Sequence, residues 1–256
     1  MSEVVRDTLQ VDGKAVTLHR NRGEGPRLVL LHGAGGNGGI WAPVLPHLDG
    51  FAAVAPSLPG RDGSEGQALG SAGQAAAWVG RLVTAVGGGP AIVVGHSYGG
   101  AIALELAFGG AALRGLVLAC SGARLRVHPR ILEAARDAMR TGEGLSLGFA
   151  FAPGTPASVV EAYEAAVART PPAAALADWA SCHVFDRMAD LERVTVPALM
   201  VCGSEDELTP VKYHRFLATA LPRGAMVEMA GHAHMLPFEA PVAFAAEVRR
   251  WADGLG

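Results

Sequence analysis

The sequence predicts an α/β domain in which a mostly parallel central sheet carries helices on both faces and a helical insertion interrupts the alternation. Three observations predict it. Short apolar runs recur along the chain without polar alternation, as strands covered on both faces require. Segments long enough for helices separate these runs, which is the β-α-β rhythm of a parallel sheet. One interval, residues 122 to 196, is rich in alanine and contains no strong strand. Hydrophobic residues make up 50% of the 256 and charged residues 18%, so a large core can form and intrinsic disorder is excluded.

Two β-prone runs within residues 4 to 20 flank Asp12-Gly13, a dipeptide that favours a two-residue turn, and an antiparallel hairpin is expected there. The continuous apolar run Leu28 to Leu31 begins the parallel sheet. Phe51 to Ala55, Ala91 to Val94, Leu116 to Ala119, Ala198 to Cys202 and, more weakly, Ala225 to Met229 continue it. Helices are expected at residues 39 to 48, 71 to 86, 98 to 108, 210 to 220 and 240 to 252, the last three with apolar positions at helical spacing. Right-handed crossovers would place them on both sheet faces. Long insertions in such a rhythm usually carry function, so residues 124 to 190 are expected to form a helical cap over the active edge of a core made of 1 to 123 and 191 to 256. A plain helical layer packed elsewhere is the alternative.

The 21 basic and 24 acidic residues give a net charge of -3, with no Lys/Arg stripe to neutralise phosphates, so nucleic acid is not an expected partner. His96, Glu105, Arg114 and several glycines interrupt the most apolar stretch, Pro90 to Cys120, and no membrane span is expected. Met1 to Asp7 lacks a basic segment followed by an apolar one, which makes a cytoplasmic location the expectation. Cys120, Cys182 and Cys202 are odd in number and widely spaced, and are expected to be buried free thiols. Oligomeric state leaves no signature.

Gly95-His96-Ser97-Tyr98-Gly99-Gly100 lies between the apolar run at 91 to 94 and the helical run at 101 to 108. This is G-x-S-x-G in a strand-turn-helix setting, where a sharp turn projects a serine hydroxyl towards a base. Taken alone, Ser97 could equally be a helix N-cap with turn-forming glycines. A nucleophilic serine also needs a base, an orienting acid and donors for an oxyanion, and candidates for each are present.

With these residues the chain resembles the α/β-hydrolase superfamily over nearly its whole length, through His32-Gly33-Ala34-Gly35-Gly36 after the first parallel strand and the elbow at Ser97. Residues Ala55 to Ser64 resemble the family's D-L-P-G-x-G-x-S stretch, with Ser57 in place of the usual Asp, a departure that touches a structural loop. Val201 to Pro210 resembles the family's G-x-x-D-x-x-x-P motif, which implies that Asp206 is the acid and that Glu205 and Glu207 are solvated neighbours. Two histidines compete as base. His234 is followed by Glu239 and Pro241 in the register of the family's H-x-x-x-x-E-x-P tail, whereas His232 is not, although Gly231-His232 mimics a common pair. A zinc site at this pair is disfavoured, since no third ligand motif accompanies a spacing of two.

The resemblance implies an α/β-hydrolase fold and a serine hydrolase acting on small to medium apolar carboxylic esters without a cofactor. Ser97 would attack, His234 would carry the proton, and Asp206 would hold the imidazole. The backbone N–H groups of Ala34 and Tyr98 would bind the oxyanion. Gly33-x-Gly35-x-x-Gly38 also matches a dinucleotide fingerprint, but the next strand ends at Ser57 and offers no acid for a ribose. His32 and His96 are expected to make local loop hydrogen bonds, and Trp41, Phe108 and Trp251 to pack. Trp179, His183, Phe185 and Met188 are candidates to face a substrate. Serine at position 97 and Met235 after His234 argue against epoxide hydrolases, haloalkane dehalogenases and hydroxynitrile lyases of this fold. Lactone, thioester or C–C bond hydrolysis, perhydrolysis and a non-catalytic small-molecule receptor remain as alternatives on the same frame.

Overall fold

The computed structural model describes residues 3–255. Strands β1 (Val5–Val11) and β2 (Lys14–Arg20) form the antiparallel hairpin, closed by Asp12 and Gly13 at φ of 52° and 72°. Both values lie in the left-handed region that a tight two-residue hairpin turn demands. Strands β3 (Arg27–Leu31), β4 (Ala52–Pro56), β5 (Ala91–His96), β6 (Leu113–Ala119), β7 (Ala198–Gly203) and β8 (Gly224–Met229) complete one eight-stranded sheet. Its order is β1-β2-β4-β3-β5-β6-β7-β8, and only the β1/β2 and β2/β4 pairs run antiparallel. Every residue of β5 and β7 is buried, which is why their sequences read as unbroken apolar runs.

The helices are α1 (Ala72–Val86), α2 (Tyr98–Phe108), α3 (Pro129–Thr141), α4 (Ala157–Val167), α5 (Pro172–Val184), α6 (Val211–Ala220), the single turn α7 (Leu236–Glu239) and α8 (Pro241–Asp253). Ser71 starts α1 by accepting from the Gln74 N–H. Helix α2 is apolar nearly all round because it is sandwiched between the sheet and α1. Residues 39 to 48 depart from the expected helix and form two short 3-10 turns, Gly38–Trp41 and Leu45–His47. Pro43 and Pro46 lack the N–H groups that a continuous ladder would use. The three cysteines are free and buried, as expected.

Strand β3 leads to β4 on one side, while β5 lies on the other, so the strand order reverses between β3 and β5. In open α/β sheets a crevice forms at the carboxyl ends of strands at such a point. The loops after β3 and β5 flank it. Between β6 and β7 the chain forms α3, α4 and α5; at that same edge Asp178 and Ser181 of α5 bond to Gly35 and Tyr98, and the Ala166 carbonyl of α4 accepts from Asn37.

The loop after β4 explains the departure at Ser57. Asp62, at φ 48°, turns a fully buried carboxylate back so that it accepts from the Ser57 hydroxyl at 2.9 Å and Arg169 Nε at 2.7 Å, and it lies 2.9 Å from His19 Nε2. The acid absent at 57 is thus supplied in space from 62.

Candidate active site

Ser97 is the hinge between β5 and α2, with φ 52° and ψ −115°, a backbone state rarely held by a residue with a side chain. Its N–H donates to Ala119 O at 2.9 Å and its carbonyl accepts from Ser121 Oγ at 2.8 Å. A Cβ on Gly95 would lie 2.2 Å from Gly99 O, and one on Gly99 would lie 2.3 Å from Leu31 O. The motif glycines are therefore required by backbone crowding around the turn. Ser97 makes no side-chain capping bond, which removes the N-cap reading.

Its hydroxyl instead lies 3.0 Å from His234 Nε2. His234 Nδ1 faces the Asp206 carboxylate, 3.1 Å from Oδ1 and 3.0 Å from Oδ2. Carboxylate oxygens only accept, so Nδ1 carries the proton and the Nε2 lone pair points at the serine hydroxyl. Asp206 also accepts from the backbone N–H groups of Leu208 and Thr209 at 2.9 and 2.8 Å and from the Thr209 hydroxyl at 2.7 Å. Burial pushes the Asp206 carboxyl up, but the His234 charge and the hydrogen bonds from His234 and Thr209 outweigh it and hold the group well below the ordinary carboxylate range. Strand β7 reaches the histidine loop because Gly203 has no side chain: a Cβ there would lie 2.0 Å from His232 O.

The rival histidine sits elsewhere. His232 Nδ1 is 3.3 Å from Glu239 Oε2, and Glu239 ties the loop by accepting from the N–H groups of Ala233 and Ala152 at 2.9 and 3.1 Å. Glu205 and Glu207 are exposed. His96 departs from its expected local role: its Nε2 donates to the His234 carbonyl at 2.9 Å, far away in the chain. Burial, then the nearby His234 charge, lowers His96 to about 3, so the ring stays neutral and holds the backbone of His234. His32 keeps the local bond expected of it, from Nδ1 to Gly33 O at 2.9 Å.

On the other side of the crevice, the N–H of Tyr98 is the first of helix α2 and has no intrahelical acceptor. The Ala34 N–H has no acceptor among the described residues. The Tyr98 hydroxyl donates to Ser181 on α5 at 2.9 Å. A cavity of about 410 Å³ starts at Ala34 and Gly35 and runs between Leu145, Leu147, Val167 and Trp179 of the inserted segment, a size suited to a small ligand. Neither Ser97 nor His234 lines it. Of the aromatic and sulfur candidates, Trp179 lines this cavity, whereas Met188 is exposed and borders a different hollow with Tyr213 and Phe216.

Sequence reasoning missed Thr209, Ser121 and a buried pair formed by Arg61 and Asp178. Asp178 carried a signal, as the sole acid within the apolar run of α5. Among the described residues, no group of three His, Cys, Asp or Glu side chains is placed to hold a metal ion, and no helix is long and apolar enough to cross a membrane. An imidazole between a carboxylate and a hydroxyl can take the hydroxyl proton as the oxygen attacks an electrophile, and backbone N–H groups without an acceptor can receive negative charge.

The model of the family described as the alpha/beta hydrolase family matches residues 28–247. The polyketide synthase ThaQ of Burkholderia thailandensis is 30% identical over 98% of this chain, which corresponds to 13% of that relative's length. Across the curated relatives it matches, the aligned part spans between 13% and 31% of their lengths. Among solved structures, a thermophilic esterase is 30% identical, with a TM-score of 0.84 and 99% of both chains covered. The enol-lactonase of Burkholderia xenovorans LB400 shares the fold at a TM-score of 0.84 and 20% identity, over 96% of this chain and 100% of that one.

Proposed function

Since this chain belongs to the alpha/beta hydrolase family, we propose that it hydrolyses small to medium apolar carboxylic esters through an acyl-enzyme on Ser97. The observation that carries this reading is the relay from Asp206 through His234 to Ser97, with both links near 3.0 Å. His234 takes the hydroxyl proton during attack and returns it to the leaving alcohol. A water then repeats the sequence on the acyl-enzyme. The N–H groups of Ala34 and Tyr98 bind the tetrahedral oxyanion, each worth about 3 to 4 kcal/mol in the transition state. Residues 124 to 190 act as the cap, and the cavity between them and the Ala34–Gly35 loop receives one arm of the ester. The thermophilic esterase, 30% identical along the full chain, supports the ester class. The net charge of -3 without a basic stripe supports a small-molecule substrate.

A p-nitrophenyl ester panel tests the proposal, with Ser97→Ala as the control. The wild type should turn over short and medium acyl chains, and the variant should lose about 10⁴-fold or more. A fluorophosphonate should label Ser97, as read by peptide mass. An inert wild type, or an equally active variant, defeats the reading.

A further inference from the structure

The loop after β3, which carries the Ala34 N–H, is held on several sides by the inserted helices. Asp178 of α5 accepts from the Gly35 N–H at 3.0 Å, and the Thr170 hydroxyl donates to Gly36 O at 3.1 Å. Asn37 Nδ2 reaches Ala166 O at 2.8 Å and Thr170 Oγ1 at 3.1 Å. Arg61, from the loop after β4, donates to Gly36 O at 3.3 Å and grips both carboxylate oxygens of Asp178. Arg61 and Asp178 are only 2% and 1% exposed. A well-packed apolar pair generally stabilises such a position as well as or better than an ion pair, so stability alone does not account for it.

The geometry of the loop does. Residues 33 to 36 form a turn closed by the Gly36 N–H on Gly33 O at 3.1 Å, with Gly35 at φ 72° in its third place. That is where a type II turn needs positive φ. The peptide joining Ala34 to Gly35 is the one whose flip interconverts types I and II. As it stands, its N–H points at Asp178. Flipped, the Ala34 carbonyl would face the carboxylate, and two acceptors repel. We infer that Asp178, anchored by Arg61, is a positioning residue that pins this peptide and so holds in place its neighbour in the turn, the Gly33–Ala34 peptide, whose Ala34 N–H it keeps aimed at the developing oxyanion. The inserted segment then governs the rate of acylation as well as the choice of substrate. The inference rests on Ser97 being the nucleophile.

The test compares the wild type with Arg61→Met/Asp178→Leu, which removes both buried charges together and is expected to fold, and with Asp178→Asn, which keeps one acceptor oxygen for Gly35. Active sites are counted by phosphonate titration, so unfolded material does not enter the rates. The double variant should melt near the wild type and lose about 10- to 100-fold in kcat, less than a lost oxyanion donor costs. KM should change by less than about threefold, and the pH profile of kcat/KM should keep its shape because His234 is untouched. Affinity for an aryl trifluoromethyl ketone, whose hemiketal oxygen mimics the oxyanion, should fall by the same factor as kcat. Asp178→Asn should lie between the two proteins in both measures. Wild-type kcat per titrated site in the double variant overturns the inference, as does a loss of kcat with unchanged ketone affinity. If the double variant does not fold, Asp178→Asn decides alone: unchanged kcat and ketone affinity overturn it. Failure of the underlying ester reading is separate, because the wild type itself would then be inert and unlabelled.

Discussion

The two sides of the crevice are built by different means. On the core side, the turn at Ser97 and the approach of β7 to the histidine loop depend on backbone pressed against backbone, where Gly95, Gly99 and Gly203 leave no room for a Cβ. On the side of the inserted helices, side chains make the joins: Asp178 to Arg61 and Gly35, Thr170 to Gly36, Tyr98 to Ser181. The inserted segment also leaves Met139, Phe149 and Val184 exposed, whereas β5 and β7 are wholly buried. Backbone crowding places Ser97 and the histidine loop rigidly, because it offers no rotamer to escape into. Side-chain joins can be exchanged residue by residue, so that half is where rate and specificity can be tuned without loss of the fold.

The sharpest break of this contrast lies on the core side. His234→Ala should lower kcat/KM by about 10⁴-fold or more, and Asp206→Asn by about 10⁴-fold through the wrong tautomer. His232→Ala, on the same loop but outside the relay, should stay within about twofold in the same ester assay. Comparable losses at 232 and 234 would dissolve the assignment of the base.

Next in size is a pair of glycine substitutions measured by urea unfolding. Gly99→Ala drives a Cβ to 2.3 Å from Leu31 O and should cost about 3 kcal/mol or more. Gly142→Ala, after α3 at φ 79° with open space around it, should cost only about 1 kcal/mol from its backbone conformation. Equal costs would remove the distinction between the two regions.

Acid should weaken the core side. Burial, with help from the Arg61 charge, lowers His32 to about 4; burial and the His234 charge lower His96 to about 3; and burial lowers His214 to about 4. Each ring titrates near 6.5 when unfolded, so between about pH 6.5 and 4 the unfolded chain binds more protons than the folded one. The stability they allow is therefore complete above that window and is lost as pH falls through it. The slope should approach about 1 kcal/mol per pH unit for each histidine, read from urea midpoints between pH 7 and 5. A flat profile contradicts the buried neutral rings.

The smallest effect is expected in the cavity. Trp179→Ala should enlarge the space beside Gly35 and shift kcat/KM about 3- to 10-fold towards longer or branched acyl groups, leaving the elbow chemistry intact. A uniform loss across the panel would show that Trp179 serves the oxyanion side instead of the pocket.

Much of this arrangement was legible in the amino-acid sequence, for reasons that are local. Buried strands must be apolar throughout, so β3, β5 and β7 announce themselves. A serine elbow needs glycines at fixed offsets, and a backbone turn is written in consecutive residues. The segment 39 to 48, expected as one helix, forms two 3-10 turns instead, because Pro43 and Pro46 break the hydrogen-bond ladder. The choice of His234 over His232 came from motif register, and only the fold shows the 3.0 Å approach to Ser97. Contacts between distant residues stayed hidden: Asp62 standing in for the acid absent at 57, His96 holding the carbonyl of His234, and Asp178 reaching Gly35 across 143 positions. Such partners satisfy one another only once burial has stripped away water, and no short-range pattern records which polar groups the folded chain will seal in together.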